Sequence, residues 1–228
     1  MPTTHDPEPV TPDLPYRIRR SDRARRIRVS VDARGEVEVV LPRRSPERAA
    51  AAAVVELRPW IERRRAEASA VLAQIAGRGN AVPYLGRELE LCPQAGRLRV
   101  HRRGDALLVP GDDRAPAAIE RWYRRAAEGE IAPRLDGAVA ALGARYTRLT
   151  IRNQRTRWGS CSSTGAMSFN WRLLLAPEPV LDYVIWHEAC HLRVMDHSTA
   201  FWSLVGRHCP DYEDHRRWLR RHGTTLVL

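Results

Sequence analysis

The sequence predicts an α+β fold in which a β-rich N-terminal region precedes a helical C-terminal region that contains a small antiparallel sheet. Short runs that alternate apolar and polar residues recur before residue 110, as in half-buried strands. Longer stretches with apolar residues at helical spacing occupy much of the remaining chain. With 228 residues, the chain can form one domain, or one domain with a small appendage.

The N-terminal third is predicted to form a β-hairpin followed by one long helix. Two runs alternate apolar and polar side chains on either side of a Gly-containing turn: residues 27–31 and 37–41. Ser45 is a suitable N-cap for the helix, and Pro46 fits its first position. We expect this helix to continue toward Ala76, with a bend near Pro59.

The remaining chain places a second hairpin directly before an apolar helix. We expect four short strands at residues 84–86, 88–92, 98–101 and 106–109. A helix is expected at residues 115–142, a further strand at 148–152 and the hairpin at 158–171. Pro177 and Pro179 precede the apolar helix, and later helices begin at Ser198 and near Asp211. These elements suggest three regions: a disordered tail (residues 1–15), a β-rich subdomain with one long helix (residues 16–112) and a catalytic domain (residues 113–228).

The clearest chemical signal is the pair His187 and His191, with Glu188 beside the first histidine and His197 shortly after. Histidines four residues apart project from the same helix face, so each can offer one nitrogen to the same metal ion. Glu188 lies on that face and can take a proton from a water molecule there. Because a catalytic zinc takes three protein ligands and leaves one position open, we predict Zn²⁺ bound by His187, His191 and His197, with Glu188 as the catalytic acid/base.

The surrounding sequence supports a metal site. The motif lies in an apolar helix, where two histidines and a carboxylate without partners would cost several kcal/mol to bury. Ser198 can cap a new helix, which places His197 at a helix–helix corner where the chain can fold back over the metal.

The sequence also offers other ligands and other enzyme classes for this site. His208, His215 and Glu213 are rival third ligands. The histidine spacing equals that of the metzincins, but Val194 replaces the glycine that their turn needs, so we reject a metzincin. Cys161 could act as a nucleophile with a histidine, but no Cys–His protease signature surrounds it.

Composition and charge indicate the setting in which the protein works. The net charge is +11 and every basic residue is an arginine, so the surface would suit nucleic acid or another polyanion. The four cysteines form no CxxC pair, which argues against a disulfide framework and fits a reducing compartment. With no signal peptide and no apolar run of membrane-spanning length, we predict a cytoplasmic protein that contacts no membrane.

The chain also resembles the YgjP-like metallopeptidase family, which is related to the SprT-like and WLM zinc proteases. The resemblance covers about residues 16–222 and is most specific in its C-terminal motifs: Arg157-Trp158-Gly159-Ser160-Cys161, Asn170-Trp171-Arg172-Leu173, Pro179, Asp182-Tyr183-Val184, His187-Glu188-Ala189-Cys190-His191, His197-Ser198, Phe201-Trp202 and Pro210-Asp211-Tyr212. It implies a zincin-like fold for residues 113–228 and zinc-dependent hydrolysis. It also implies the same zinc ligands, His187, His191 and His197, and the same acid/base, Glu188.

The expected function is therefore a zinc metallopeptidase that acts on a protein or peptide. A substrate strand can add to the sheet edge just before the metal helix. An oxyanion stabiliser is usual in such sites, and Tyr212, His215 and an arginine near the cleft are candidates. The alternatives are a nucleic-acid-associated zinc protein, a DNA-guided protease, which the related families suggest, and a zinc hydrolase of a non-peptide substrate.

Overall fold

The computed structural model describes residues 14–32, 34–154 and 157–228, so nearly all of the predicted tail lies outside the described residues. The chain forms two compact units, Met1–Gly77 and Arg78–Leu228. This division falls earlier than the predicted boundary between residues 112 and 113. The reason is that the strands of residues 81–110 share one hydrophobic core with the helices that follow.

Among its described residues, the first unit forms a small sheet and two helices: β1 (Tyr16–Ser21), β2 (Arg28–Val31), β3 (Val37–Pro42), α1 (Arg48–Glu56) and α2 (Arg58–Gly77). The strand order is β1-β3-β2, with β1 parallel and β2 antiparallel to β3. The predicted hairpin of β2 and β3 is confirmed, and Ala33 of its turn lies outside the described residues. The predicted bend is also confirmed, because the helix is interrupted at Leu57.

Two features of the first unit differ from the prediction. The first helix starts at Arg48 with Glu47 as N-cap, and Ser45 instead donates its backbone N–H to the carbonyl of Pro42 in a turn. Strand β1 was not predicted. Apolar side chains from the sheet and both helices close a small core: Val39, Leu41, Ala50, Val54 and Ile61.

The second unit begins with a four-stranded sheet and one long helix: β4 (Ala81–Tyr84), β5 (Arg87–Gln94), β6 (His101–Arg103), β7 (Ala106–Pro110) and α3 (Ala115–Ala141). The described remainder contains the elements of the predicted metal site: β8 (Arg148–Arg152), β9 (Gly159–Cys161), β10 (Ala166–Asn170), a 3-10 helix (Trp171–Leu175), α4 (Glu178–Cys190), α5 (Thr199–His208), α6 (Tyr212–His222) and a last 3-10 turn (Gly223–Thr225). The predicted helix of residues 115–142 is confirmed, and it continues through Pro133.

The sheet beside α4 is mixed, which corrects the prediction of a small antiparallel sheet. Its order is β8-β10-β9, with β10 antiparallel to β9 but parallel to β8. The hairpin of β9 and β10 is therefore confirmed, while β8 joins it from the other side. This order leaves β9 at the edge of the sheet, next to α4.

Helix α4 is fixed by a core and by ion pairs. Tyr123 of α3 and Trp171 are almost fully buried, with their rings 5.8 Å apart, in the core to which α4 also contributes. Arg134 of α3 donates from Nε to Asp182 of α4 at 3.1 Å, and also contacts Glu130 and Glu178. Helix α4 is therefore anchored to α3 by buried packing and by ion pairs. No helix in the described part of the chain is both long enough and apolar enough to cross a membrane.

Candidate metal centre and active site

The three predicted histidines come from the end of one helix and the start of the next. His187 lies in the last turn of α4, and His191 is the residue at which that helix ends. The chain then turns through residues 191–193 and returns to His197, which directly precedes Ser198, the N-cap of α5. The predicted helix–helix corner is therefore present, although the Ser198 side chain makes no capping hydrogen bond.

The histidine side chains converge on one point. One ring nitrogen from each of His187, His191 and His197 lies within 4.8 Å of the other two. The Nε2 atoms of His187 and His197 are 3.1 Å apart. Two nitrogens that each bind a tetrahedral zinc at about 2.0–2.1 Å would be separated by roughly 3.4 Å. The arrangement thus fits a small tetrahedral ion.

The protonation states of His187 and His191 also suit a metal. His191 Nδ1 lies 3.1 Å from the carbonyl of Val194, which favours a proton on Nδ1 and leaves Nε2 free as a ligand. Burial, reinforced by the neighbouring histidines, lowers the pKa of His187 to about 3. The imidazole of His187 is therefore neutral, as a metal ligand must be.

One aromatic ring contacts all three histidines. Phe201 of α5 is fully buried, and its ring centroid lies 5.0, 4.4 and 4.9 Å from those of His187, His191 and His197. Trp202 follows it and stacks on His197, with 5.6 Å between ring centroids. These contacts position the rings before any metal binds.

Glu188 lies in a nearly closed space between α4 and the sheet edge. Its side chain is only 7% exposed, and it accepts a hydrogen bond from the backbone of Cys161 in β9. Burial raises its pKa to about 7, although Arg157 and the Cys161 backbone favour the charged form. A carboxyl group with this pKa can both take up and release a proton near neutral pH.

Gly159 of β9 makes room for this carboxyl group. A Cβ atom at residue 159 would lie 2.5 Å from Cγ and 2.6 Å from Oε1 of Glu188. Real Cβ atoms essentially never come so close, so a side chain at this position would displace the carboxyl group. The close approach of β9 to α4 therefore depends on a residue without a side chain.

Asn170 holds the segment that leads into β9. Its side-chain amide donates to the carbonyl of Gln154 at 2.6 Å, and its Oδ1 accepts from the backbone of Arg172 at 3.1 Å. Its own backbone N–H donates to the carbonyl of Trp158 at 2.8 Å. Asn170 is almost fully buried, so these bonds set the start of the edge strand.

The rival ligands make other contacts. His208 stacks on Trp186 with 4.3 Å between ring centroids, and His215 lies beside Tyr183 at 6.4 Å. Glu213 accepts a hydrogen bond from the hydroxyl group of Tyr212 at 3.3 Å. Within the described residues, the histidine cluster contains none of these three rivals.

The surroundings of Cys161 do not suit a catalytic nucleophile. Burial, together with the nearby Glu188 carboxylate, raises the pKa of its thiol to about 11, which disfavours the reactive thiolate. Its sulfur contacts the carbonyl of Ser162 at 3.5 Å. The four cysteines of the chain are free.

Sequence reasoning missed three residues that border the site. Gly159 and Phe201 appeared only as motif letters, although the first leaves space for Glu188 and the second contacts every histidine. Arg216 of α6 lies over Trp202, with its Cζ atom 4.7 Å from the ring centroid. The sequence signalled it only as an unspecified arginine near the cleft.

Comparison with known proteins bears on the same part of the chain. The model of the family described as YgjP-like, metallopeptidase domain, matches residues 25–222. No curated protein matches the chain significantly. Among solved structures, the metallopeptidase zymogen of Pyrococcus abyssi abylysin matches 40% of this chain and 93% of that chain, with 22% identity and a TM-score of 0.36. That similarity is too low to support an argument about this fold.

Proposed function

Because the chain belongs to the YgjP-like metallopeptidase family, we propose that it is a zinc-dependent peptidase. In this proposal His187, His191 and His197 hold the ion, and Glu188 is the acid/base. The observation that carries it is the convergence of three histidines beside one buried carboxyl group. Family membership supports a metal-dependent peptidase, and the ligand set supports zinc, since three imidazole nitrogens suit this ion.

A zinc ion held there would supply a Lewis acid that acidifies a water molecule and polarises the substrate carbonyl group. Glu188 accepts the proton from the attacking water and passes it to the leaving amine. Burial raises the pKa of this carboxyl group above its ordinary value, which favours uptake of the proton from the water molecule. The Cys161 backbone bond and Arg157 both favour the charged form of this carboxyl group, which is the form that accepts a proton.

The substrate class follows from the sheet edge. In the described part of the chain, β9 pairs with no strand other than β10, so the part of its outer edge that Glu188 leaves uncovered could take a further strand. An extended peptide that pairs with β9 lies beside Glu188, because Gly159 and Cys161 both contact that side chain. We therefore propose unfolded or extended polypeptide as the substrate.

The test compares zinc-loaded wild type with Glu188→Gln on an unstructured protein substrate, with bound zinc measured in both. We expect one zinc per chain in each protein and a rate loss of about 10²–10⁴ in the variant, because the acid/base is missing. Equal rates would refute the assigned role of Glu188. No cleavage by either protein, despite one bound zinc, would favour a non-peptide substrate.

A second function has one observation in its favour. The described part of the first unit, residues 14–77, carries 15 arginines against 8 acidic residues. Four of them lie in residues 23–28, and Arg43 and Arg44 follow β3, whose end pairs with the end of β1. Two arginine-rich segments therefore meet at one end of the first sheet. This surface would suit nucleic acid, and a protease guided by nucleic acid would combine both functions.

Binding to random duplex DNA at several salt concentrations tests this second function. Replacing the four arginines of residues 23–28 with Gln should reduce the slope of log affinity against log salt by about 3–4. The matched control replaces Arg17 and Arg19, which pair with Glu36 and Glu38 at 2.8 and 3.2 Å. Absence of duplex binding by wild type at low salt would reject the function.

A further inference from the structure

Arg216 places a positive charge beside the histidine cluster. Its Cζ atom lies 4.7 Å from the centroid of the Trp202 ring. That ring in turn lies 5.6 Å from the rings of both His187 and His197.

This guanidinium group has no acidic partner within the described residues. Arg216 is exposed and forms no ion pair there, whereas the next residue, Arg217, pairs with Asp214 at 2.9 Å. An arginine that borders a catalytic site without a carboxylate partner is available for one supplied by a ligand. Of these two neighbouring arginines, only Arg217 already has a carboxylate partner in the described structure.

The side chain is also held in place. Tyr212, one helical turn earlier on α6, stacks on the same indole of Trp202 at 5.2 Å and 17°. Arg216 therefore lies over a ring that is itself packed between α6 and the histidine cluster. Cation–π contact of this kind limits the freedom of the side chain, so less entropy is lost when it binds a ligand.

The position of Arg216 favours contact with a substrate side chain or chain end over contact with the reacting carbonyl group. Arg216 approaches the indole of Trp202, and no hydrogen bond joins it to the three histidines in the described structure. An extended peptide advances about 3.3 Å per residue, so a few residues span the distance from the metal site to the guanidinium group. A carboxylate there could accept two parallel hydrogen bonds from it.

We propose that Arg216 forms an anion subsite that selects peptides with a carboxylate within about three residues of the scissile bond. The carboxylate comes either from an Asp or Glu side chain or from the end of the substrate chain. This inference rests on the proposed peptidase function and adds a preference to it. Arg216 is a specificity-determining residue, while Glu188 and the histidines perform the chemistry.

The first experiment measures kcat/KM for blocked peptides that differ only by Glu or Gln at each of the three positions on either side of the scissile bond. A second pair of peptides, without acidic residues, carries a free or an amidated C-terminus and separates the two sources of the carboxylate. Wild type should prefer the carboxylate by about threefold to fivefold in at least one pair, as for an exposed ion pair. Arg216→Gln should reduce that ratio to about one. Arg217→Gln should keep the wild-type ratio.

The second experiment measures binding of the same peptides to the zinc-loaded Glu188→Gln protein, with and without Arg216→Gln. The Glu to Gln affinity ratio should fall to about one only in the double variant. If wild type cleaves the acidic and the neutral peptides equally well, the subsite is refuted and the peptidase function stands. The same holds if Arg217→Gln lowers the acidic-to-neutral ratio as much as Arg216→Gln does. If no peptide is cleaved, the proposed function fails, and equal binding of Glu and Gln peptides would then refute the subsite separately.

Discussion

Replacing Gly159 with alanine should disable the active site with little effect on metal binding. The added Cβ would lie 2.5–2.8 Å from three atoms of Glu188, where ordinary contact needs 3.4–4 Å. The buried carboxyl group must therefore move by about 1 Å, and a displacement of that size can cost about 10²-fold in rate. Overpacking should also lower the free energy of unfolding by about 1–3 kcal/mol. The assay is kcat/KM on a peptide, together with zinc content and thermal unfolding.

Two further variants separate this explanation from general damage. Gly137→Ala is the matched control, because a Cβ on this residue of α3 meets no atom within 4 Å. It should leave kcat/KM unchanged and stabilise the helix slightly. Glu188→Asp shortens the acid by one methylene group, so Gly159→Ala should cost less in that background. Wild-type kcat/KM in a zinc-loaded Gly159→Ala protein would refute the reasoning.

Three more outcomes follow from the described contacts. His197→Ala should weaken zinc binding in a competition titration, whereas His208→Ala, whose ring stacks on Trp186, should leave it unchanged. Arg134→Gln leaves three acidic partners without their shared cation and should lower the free energy of unfolding by about 1–2 kcal/mol. Arg124→Gln breaks only an exposed pair and should lower it by less than about 0.5 kcal/mol, both measured by denaturant unfolding. Burial raises the pKa of Tyr84 to about 12. Its contribution to stability should therefore persist below pH 10 and be lost as the pH rises toward 12. Tyr84→Phe should reduce this alkaline loss, measured by unfolding at a series of pH values.

The histidine cluster could be predicted because its information is local. His187 and His191 share a helix face through their spacing alone, and Ser198 indicates the helix start that places His197 at the corner. The same local logic gave the hairpin of β9 and β10 and the start of α6 near Asp211. In each case a few neighbouring residues specify the geometry.

The parts that were missed depend on residues far apart in the chain. Alternating apolar residues predict a strand but not its direction, so the parallel pairing of β8 with β10 could not be foreseen. Strand β1 is rich in arginine, and its exposed Arg17 and Arg19 are balanced by Glu36 and Glu38 across the sheet. The space that Gly159 leaves for Glu188 likewise appears only when β9 lies against α4.

The single ring of Phe201 contacts all three histidines and so couples their positions. We expect a substitution that tilts one imidazole to shift Phe201, and through it the other two rings. The energetic effects of changing two histidines should therefore not add. A change of one ligand at this site is therefore also a change in the surroundings of the other two.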